Sequence, residues 1–221
     1  MRNKDSTTDS RYVFNQRDHN SGQLPHSTLN KKMSLRMTYT RHPSNAKIEL
    51  ENQRMIDRRN HFRLAADYVT TALKTVPSVT RICLMGSVSR ALYKEVPRFQ
   101  PYKRYRIEIW HEVKDLDLAV WVSDIDDLNT LRRTVVRGLN NLLNETAIGV
   151  AHHEVEVFLL EPGTNRYLGR LCRYNTCPKG KEACRVPGCG TAHFLQQHTD
   201  FQLFHDAVRI ASDTILFERE E

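Results

Sequence analysis

The chain has 221 residues, enough to bury one ordinary hydrophobic core, or one core with a small appendage. Its formal net charge of +7 favours anionic partners such as nucleotides or nucleic acid, although a surface bias towards solubility has the same signature. The sequence contains neither the apolar core of a signal peptide nor a run long enough for a membrane span. We therefore expect a cytoplasmic protein without a membrane partner.

Residues 1–45 are polar and basic and show no hydrophobic periodicity, so they are predicted to be a tail that is disordered or ordered only against a partner. From Ala46 to Val76 the pattern becomes helical, and Pro77 ends it. The residues predicted to share the buried face of this helix are His61, Ala65, Tyr68, Val69, Ala72 and Leu73.

A short apolar run, Arg81–Met85, predicts a buried strand that ends at Gly86 and Ser87. Residues Val88–Tyr93 then predict a helix. A strand that turns into a helix through glycine and serine can hold phosphate, because free backbone N–H groups point outward there and glycine permits close approach.

The next stretch, about residues 94–113, is called the insert here. Its prolines and alternating apolar residues predict a hairpin whose second arm runs on into the strand of Asp115. Its cations and aromatic residues are typical of a nucleic-acid or nucleotide surface. An edge hairpin that is protected from aggregation by charge would have the same composition.

Asp115 and Asp117 are two residues apart, so on a strand they project from one face. Neighbouring carboxylates repel each other unless a cation keeps both ionised, and hard oxygen ligands suit magnesium. The acids of a later predicted strand, Glu154 and Glu156, could supply a third ligand. The helix predicted after Asp127 has acidic residues at its start, which capping explains without a metal.

Taken together, these residues resemble the catalytic core of the DNA polymerase β-like nucleotidyltransferase superfamily, over roughly residues 60–162. The family pattern is Gly-Ser at a strand-to-helix turn, an Asp-x-Asp strand and a third acid on a further strand. The resemblance implies that Gly86 and Ser87 contact the nucleotide phosphates. It also implies that Asp115 and Asp117 bind two Mg²⁺ or Mn²⁺ ions.

Glu156 is the preferred third carboxylate, because an apolar run and a proline follow it as in the family, and Glu154 is the alternative. Glu156 could also orient or deprotonate the acceptor. Arg90, expected one turn into the helix after Gly86, is a further candidate for phosphate contact. The insert is longer than the corresponding segment of compact family members.

Cys172, Cys177, Cys184 and Cys189 form the pattern C-x4-C-x6-C-x4-C in a segment with few apolar residues. Four thiolates around a structural Zn²⁺ would stabilise such a segment, and a reducing compartment disfavours disulfides. Free or redox-active thiols remain the alternative. His193 and His198 are substitute ligands, whereas the fifth cysteine, Cys83, lies in the apolar strand and is predicted to be buried.

The sequence thus predicts an α/β (α+β) fold with a mixed, twisted sheet and flanking helices. Its predicted regions are the tail, a core at residues 46–165 with the insert, and a zinc-binding segment at residues 166–221 that ends in a helix (Thr199–Ile210) and a short strand (Asp213–Glu218). The expected activity is transfer of an NMP from an NTP to an acceptor hydroxyl of an RNA, a protein or a small molecule. A non-catalytic zinc-dependent nucleic-acid-binding module and a toxin–antitoxin-type enzyme that modifies a partner protein are the alternatives.

Overall fold

The computed structural model describes residues 41–174, 177, 189–190, 192–197 and 214–220. Most of the predicted tail, Cys184, His198 and the predicted helix Thr199–Ile210 lie outside the described residues. The elements in chain order are α1 (Asn45–Leu73), β1 (Val79–Met85), α2 (Gly86–Ser89), β2 (Lys94–Glu95), α3 (Tyr102–Tyr105), β3 (Ile109–Trp110), β4 (Leu116–Val122), α4 (Leu128–Thr146), a short 3-10 helix (His152–Glu154), β5 (Val155–Leu160), β6 (Tyr167–Leu171), β7 (Leu195–Gln196) and β8 (Ile215–Glu218).

Six of the strands form one mixed sheet in the order β7-β6-β5-β4-β1-β8. The central strands β4 and β5 are parallel, and α4 supplies the crossover between them, as a parallel connection requires. The other neighbouring strands are antiparallel. The predicted α+β class with a mixed sheet is therefore confirmed.

Helices α1 and α4 pack on one face of this sheet and bury the main hydrophobic core with it. They approach closely at Gly138, where a Cβ atom would lie 2.9 Å from Cα of Val69. The opposite face carries a smaller buried cluster: Cys83, Met85, Ala119, Trp121, Phe158 and Leu160. Because side chains alternate along a strand, Asp117 shares this second face with Ala119 and Trp121.

Both long helices begin at capping residues. The Oγ atom of Ser44 accepts a hydrogen bond from the backbone N–H of Lys47, and the carboxylate of Asp127 accepts one from that of Thr130. The acid before α4 is therefore a cap, as the sequence indicated. None of the helices in the described part of the chain combines the length and the apolar character needed to cross a membrane.

The helical face predicted for α1 is partly wrong. His61 is exposed, and the neighbouring Phe62 fills the core position instead. The aromatic ring is favoured there because burying apolar area is stabilising, whereas a buried imidazole would need hydrogen-bond partners.

The helix predicted at Val88–Tyr93 is wrong as well. The observed α2 is a single turn, and Arg90, with φ −87° and ψ 159°, is already extended. The turn is closed by a hydrogen bond from the Ser89 hydroxyl to the carbonyl oxygen of Gly86. The backbone carbonyl of Arg90 instead accepts from the Arg59 side chain of α1.

The insert is closed at its base by the antiparallel pair β2 and β3, with Lys94 opposite Trp110. The prediction that its second arm continues into the strand of Asp115 is wrong, because β3 ends at Trp110 and β4 begins at Leu116. The intervening carbonyl oxygens of Val113 and Lys114 accept hydrogen bonds from the Arg58 side chain rather than from a neighbouring strand.

Candidate functional site

The candidate site starts where the end of β1 meets the start of β4. Met85, the last residue of β1, is opposite Asp117, so the carboxylate of Asp117 lies against the backbone of Gly86. A Cβ atom at residue 86 would overlap Oδ2 of Asp117, and Gly86 has φ +68°. Contact and backbone conformation therefore both require glycine here. Ser87 follows in α2 and is partly buried.

The second carboxylate comes from the next strand. In the parallel pairing of β4 with β5, Asp117 is directly opposite Glu156. Asp115 precedes β4 by one residue and is exposed, so it is not within the strand as predicted. Two of the three predicted metal ligands thus lie on adjacent strands, and the third lies at the start of one of them.

The electrostatics link all three acids. Burial and the negative charges of Glu156 and Asp115 together raise the pKa of Asp117 to about 6, and the positive charge of Arg170 opposes this shift. A carboxylate in this position binds a proton or a cation more readily than an isolated one does. The site therefore has the charge distribution that a divalent cation would stabilise.

Glu156 contacts two arginines from the segment that follows it. Nη1 of Arg170, on β6, donates to Oε2 of Glu156 at 2.6 Å, and Nη1 of Arg173 lies 3.8 Å from Oε1. The described residues contain no group of three His, Cys, Asp or Glu side chains already gathered for one metal ion. In this conformation Glu156 is neutralised by guanidinium groups.

Glu154, the alternative third acid, has a structural role. It lies in the 3-10 helix before β5, where Oε2 accepts from the backbone N–H of Ala151 at 2.9 Å and Oε1 accepts from Nη2 of Arg58 at 3.0 Å. The same Arg58 side chain binds the carbonyl oxygens of Val113 and Lys114, at 2.6 and 3.1 Å. Of the two acids, Glu156 is the one that the strand register places opposite Asp117.

Arg90 lies outside the helix in which it was expected, and its side chain is exposed. Because the chain turns away after Ser89, Arg90 is not held on the surface of a helix beside Gly86. Its suggested contact with a phosphate stays a prediction.

Three of the four clustered cysteines lie near one turn. The backbone N–H of Cys172 donates to the carbonyl of Phe194 at 2.7 Å, the N–H of Phe194 donates to Sγ of Cys177 at 3.3 Å, and Cys189 forms a β-bridge with Gln196. Phe194 has φ +61°, so the turn is tight. His193 belongs to the same turn and is exposed.

The fifth cysteine is separate from this group. Cys83 is buried in β1, as predicted, and burial raises the pKa of its thiol.

Sequence reasoning missed Arg58 and Arg170. Arg170 is signalled weakly, because a charged residue in the alternating run Tyr167–Leu171 has to face something polar on the neighbouring strand. Arg58 has no comparable signal. Its partners are more than fifty residues away along the chain, and an arginine in a polar helix ordinarily faces solvent.

Comparison of the chain with protein-family models, with curated proteins and with solved structures finds no match. The chemistry of the site therefore has to be inferred from its own residues. Coupled carboxylates beside a glycine turn can bind divalent cations and, through them, phosphate groups.

Proposed function

We propose that this chain is a nucleotidyltransferase that moves an NMP from an NTP to an acceptor hydroxyl and releases pyrophosphate. The observation that carries the proposal is the position of Asp117, packed on Gly86 and opposite Glu156 on the parallel neighbouring strand. The raised pKa of Asp117 supports it, because a site built to hold cations is electrostatically unfavourable without them. The likeness to the polymerase β-like pattern supplies the reaction type.

In this proposal Asp115, Asp117 and Glu156 hold two Mg²⁺ or Mn²⁺ ions. When bound, these ions supply charge stabilisation for the reacting phosphate and the departing pyrophosphate. The backbone of Gly86 and Ser87 binds the triphosphate, and the absence of a side chain at Gly86 lets the carboxylate of Asp117 lie directly beside that backbone. Glu156 also orients or deprotonates the acceptor hydroxyl.

Arg170 neutralises the charge of Glu156 in the structure, and in the proposed mechanism this contact stabilises the metal-free site. A partly buried carboxylate is stabilised by a counter-charge, and the guanidinium provides it as long as no cation is present. A bound cation would take over this neutralisation, and the guanidinium of Arg170 would then be placed to bind a phosphate beside Glu156.

The proposal includes a structural zinc ion held by Cys172, Cys177, Cys184 and Cys189, with His193 and His198 as substitutes. The contacts of Cys172, Cys177 and Cys189 with the 194–196 turn support it. A backbone N–H donated to a cysteine sulfur, as from Phe194 to Cys177, stabilises a thiolate ligand.

The test is transfer of label from each α-labelled NTP, with Mg²⁺ or Mn²⁺, into total RNA, total protein and small-molecule fractions. The wild type should label one fraction, and the Asp115→Asn/Asp117→Asn variant should label none. Asp126→Asn, at an exposed acid outside the site, is the matched control and should retain transfer. A folded, zinc-loaded wild type that transfers no label would contradict the proposal, and label in protein would identify the partner-modifying type.

One observation favours a second candidate, a non-catalytic zinc-dependent nucleic-acid-binding module. The close pair of Glu156 with Arg170 already satisfies the third carboxylate without a cation. In such a module the acids are structural, so nucleic-acid binding would survive Asp115→Asn and no label would be transferred from an NTP. Binding through lysine and arginine contacts with phosphates would weaken strongly with salt.

A further inference from the structure

Exposed apolar side chains are concentrated in and beside the insert. Of the seven large hydrophobic residues that are exposed in the described part of the chain, four lie between residues 93 and 105: Tyr93, Val96, Phe99 and Tyr105. Tyr93 is 52% exposed and Phe99 is 39% exposed. Apolar side chains exposed to water cost free energy, and their concentration in one segment is typical of a surface that binds a partner.

The exposed rings are also held in fixed orientations. The ring of Tyr93 stacks on that of the buried His111, with centroids 4.2 Å apart and an angle of 7° between the planes. Phe99 contacts the buried Tyr102 edge to face at 5.4 Å. Rings supported in this way lose little conformational entropy when a flat group stacks on them.

A cleft of about 520 Å³ runs along the insert and reaches Lys114. Phe99 and Trp110 contribute its aromatic surface, Arg98 and Lys114 its cations, and Lys114 directly precedes Asp115. Glu95 and Glu112 also line it. The insert as a whole has five lysines and arginines against three glutamates, so its net charge is positive.

The base of the insert is fixed next to the site by its connections. The chain enters it five residues after Ser89 and leaves it at the residues that precede Asp115. The N–H of His111 donates to the carbonyl of Tyr93 at 3.0 Å and holds the two ends together. The insert is therefore joined directly to the segments that carry Ser87 and Asp115.

We propose that the insert is a docking surface for single-stranded nucleic acid, with unpaired bases in the cleft against Phe99 and Trp110 and phosphates near the exposed cations. Stacking rings combined with cations are the means by which proteins bind single strands, since every base has a face to stack. An apolar peptide would not use the cations, and a duplex hides the base faces. We also assign the end of the bound strand as the source of the acceptor hydroxyl, and this assignment rests on the proposed function.

The test is fluorescence anisotropy with a labelled 12-nucleotide oligo(U), the matching oligo(dT) and a blunt 12-base-pair duplex, in EDTA and without NTP. We expect either single strand to bind more tightly than the duplex, and Phe99→Ala to weaken binding roughly tenfold. Arg98→Ala should lower the dependence of log K on log salt by about one. Leu143→Ala, at an exposed apolar residue of α4, is the control and should bind as the wild type does.

The inference is overturned if the duplex binds as well as the single strands, if no nucleic acid binds, or if Phe99→Ala and Arg98→Ala both leave binding unchanged. Circular dichroism shows whether each variant is folded. Asp115→Asn/Asp117→Asn should bind as the wild type does in EDTA. Binding that persists while label transfer fails would refute the nucleotidyltransferase proposal and leave the docking surface intact.

Discussion

Asp117 shows how a single residue can oppose the stability of its fold. Its folded-state pKa of about 6 lies above the ordinary value of 3.8, because burial, Glu156 and Asp115 all disfavour its charge. The folded protein therefore binds a proton more tightly than the unfolded chain, and this contribution to stability is lost as the pH rises through 6. Above that pH, the charged carboxylate lowers the free energy of unfolding.

Replacing this acid should consequently stabilise the metal-free protein. We expect Asp117→Asn to raise the free energy of unfolding by up to about 3 kcal/mol at pH 7.5 and to have almost no effect at pH 4, since the pKa of Asp117 is raised from 3.8 to about 6 and each pKa unit corresponds to about 1.4 kcal/mol. Urea unfolding in EDTA at the two pH values measures the difference. Asp126→Asn controls for the loss of one negative charge, and equal effects of the two substitutions would show that Asp117 is not strained.

At the scale of elements, Arg58 connects three parts of the chain. From α1 it reaches the carbonyls of Val113 and Lys114, which lead into β4, and Glu154, which leads into β5. Both strands that carry the candidate ligands are thus held at their starts by one guanidinium. Hydrogen bonds to a charged group are the stronger ones, and breaking them leaves partners unsatisfied.

We expect Arg58→Ala to lower the free energy of unfolding by about 2 kcal/mol. Arg54→Ala on the same helix should change it by less than about 0.5 kcal/mol, because the Arg54 side chain is 73% exposed and, among the described residues, pairs with Glu51 alone, whereas that of Arg58 is 35% exposed. Urea unfolding of both variants at pH 7.5 makes the comparison. Similar losses in the two proteins would refute the connecting role of Arg58.

Local sequence patterns predict some of these elements and miss others. Hydrophobic periodicity and the cap at Asp127 predict α4 well, and the apolar runs predict β1, β4 and β5, because those signals are local. The sequence predicted an acid on a further strand, but the pairing of Asp117 with Glu156 depends on strand order and register, which the structure supplies. The contacts of Arg58 and Arg170 join residues that are far apart in the sequence, so no local pattern predicts them. The break between β3 and β4, which leaves Asp115 outside the strand, also depends on such tertiary contacts.

At the scale of the whole molecule, the cysteine segment and the sheet are joined by contacts of β6 and β7. Strand β7 completes one edge of the sheet, and the turn before it contacts Cys172 and Cys177. A zinc ion there would stabilise the sheet edge as well as the segment, because metal binding to a folded site adds to folding free energy.

We expect one zinc per chain after purification. Cys177→Ser should lose the metal and melt at a lower temperature, and a chelator should lower the melting temperature of the wild type in the same way. Cys83→Ala, at the buried cysteine of β1, should keep its zinc. Elemental analysis and thermal unfolding are the measurements, and full zinc content in Cys177→Ser would contradict the assignment.

The closing of the insert at its base has an evolutionary consequence. Because Tyr93 and His111 are already hydrogen-bonded to each other, the chain between them can be exchanged, shortened or lengthened at little cost in loop-closure entropy. The glycine turn and the paired acids lie outside that interval and would not be disturbed. If the insert selects the partner and the acids carry the chemistry, as proposed, exchange of this one segment would change the partner and leave the chemistry in place.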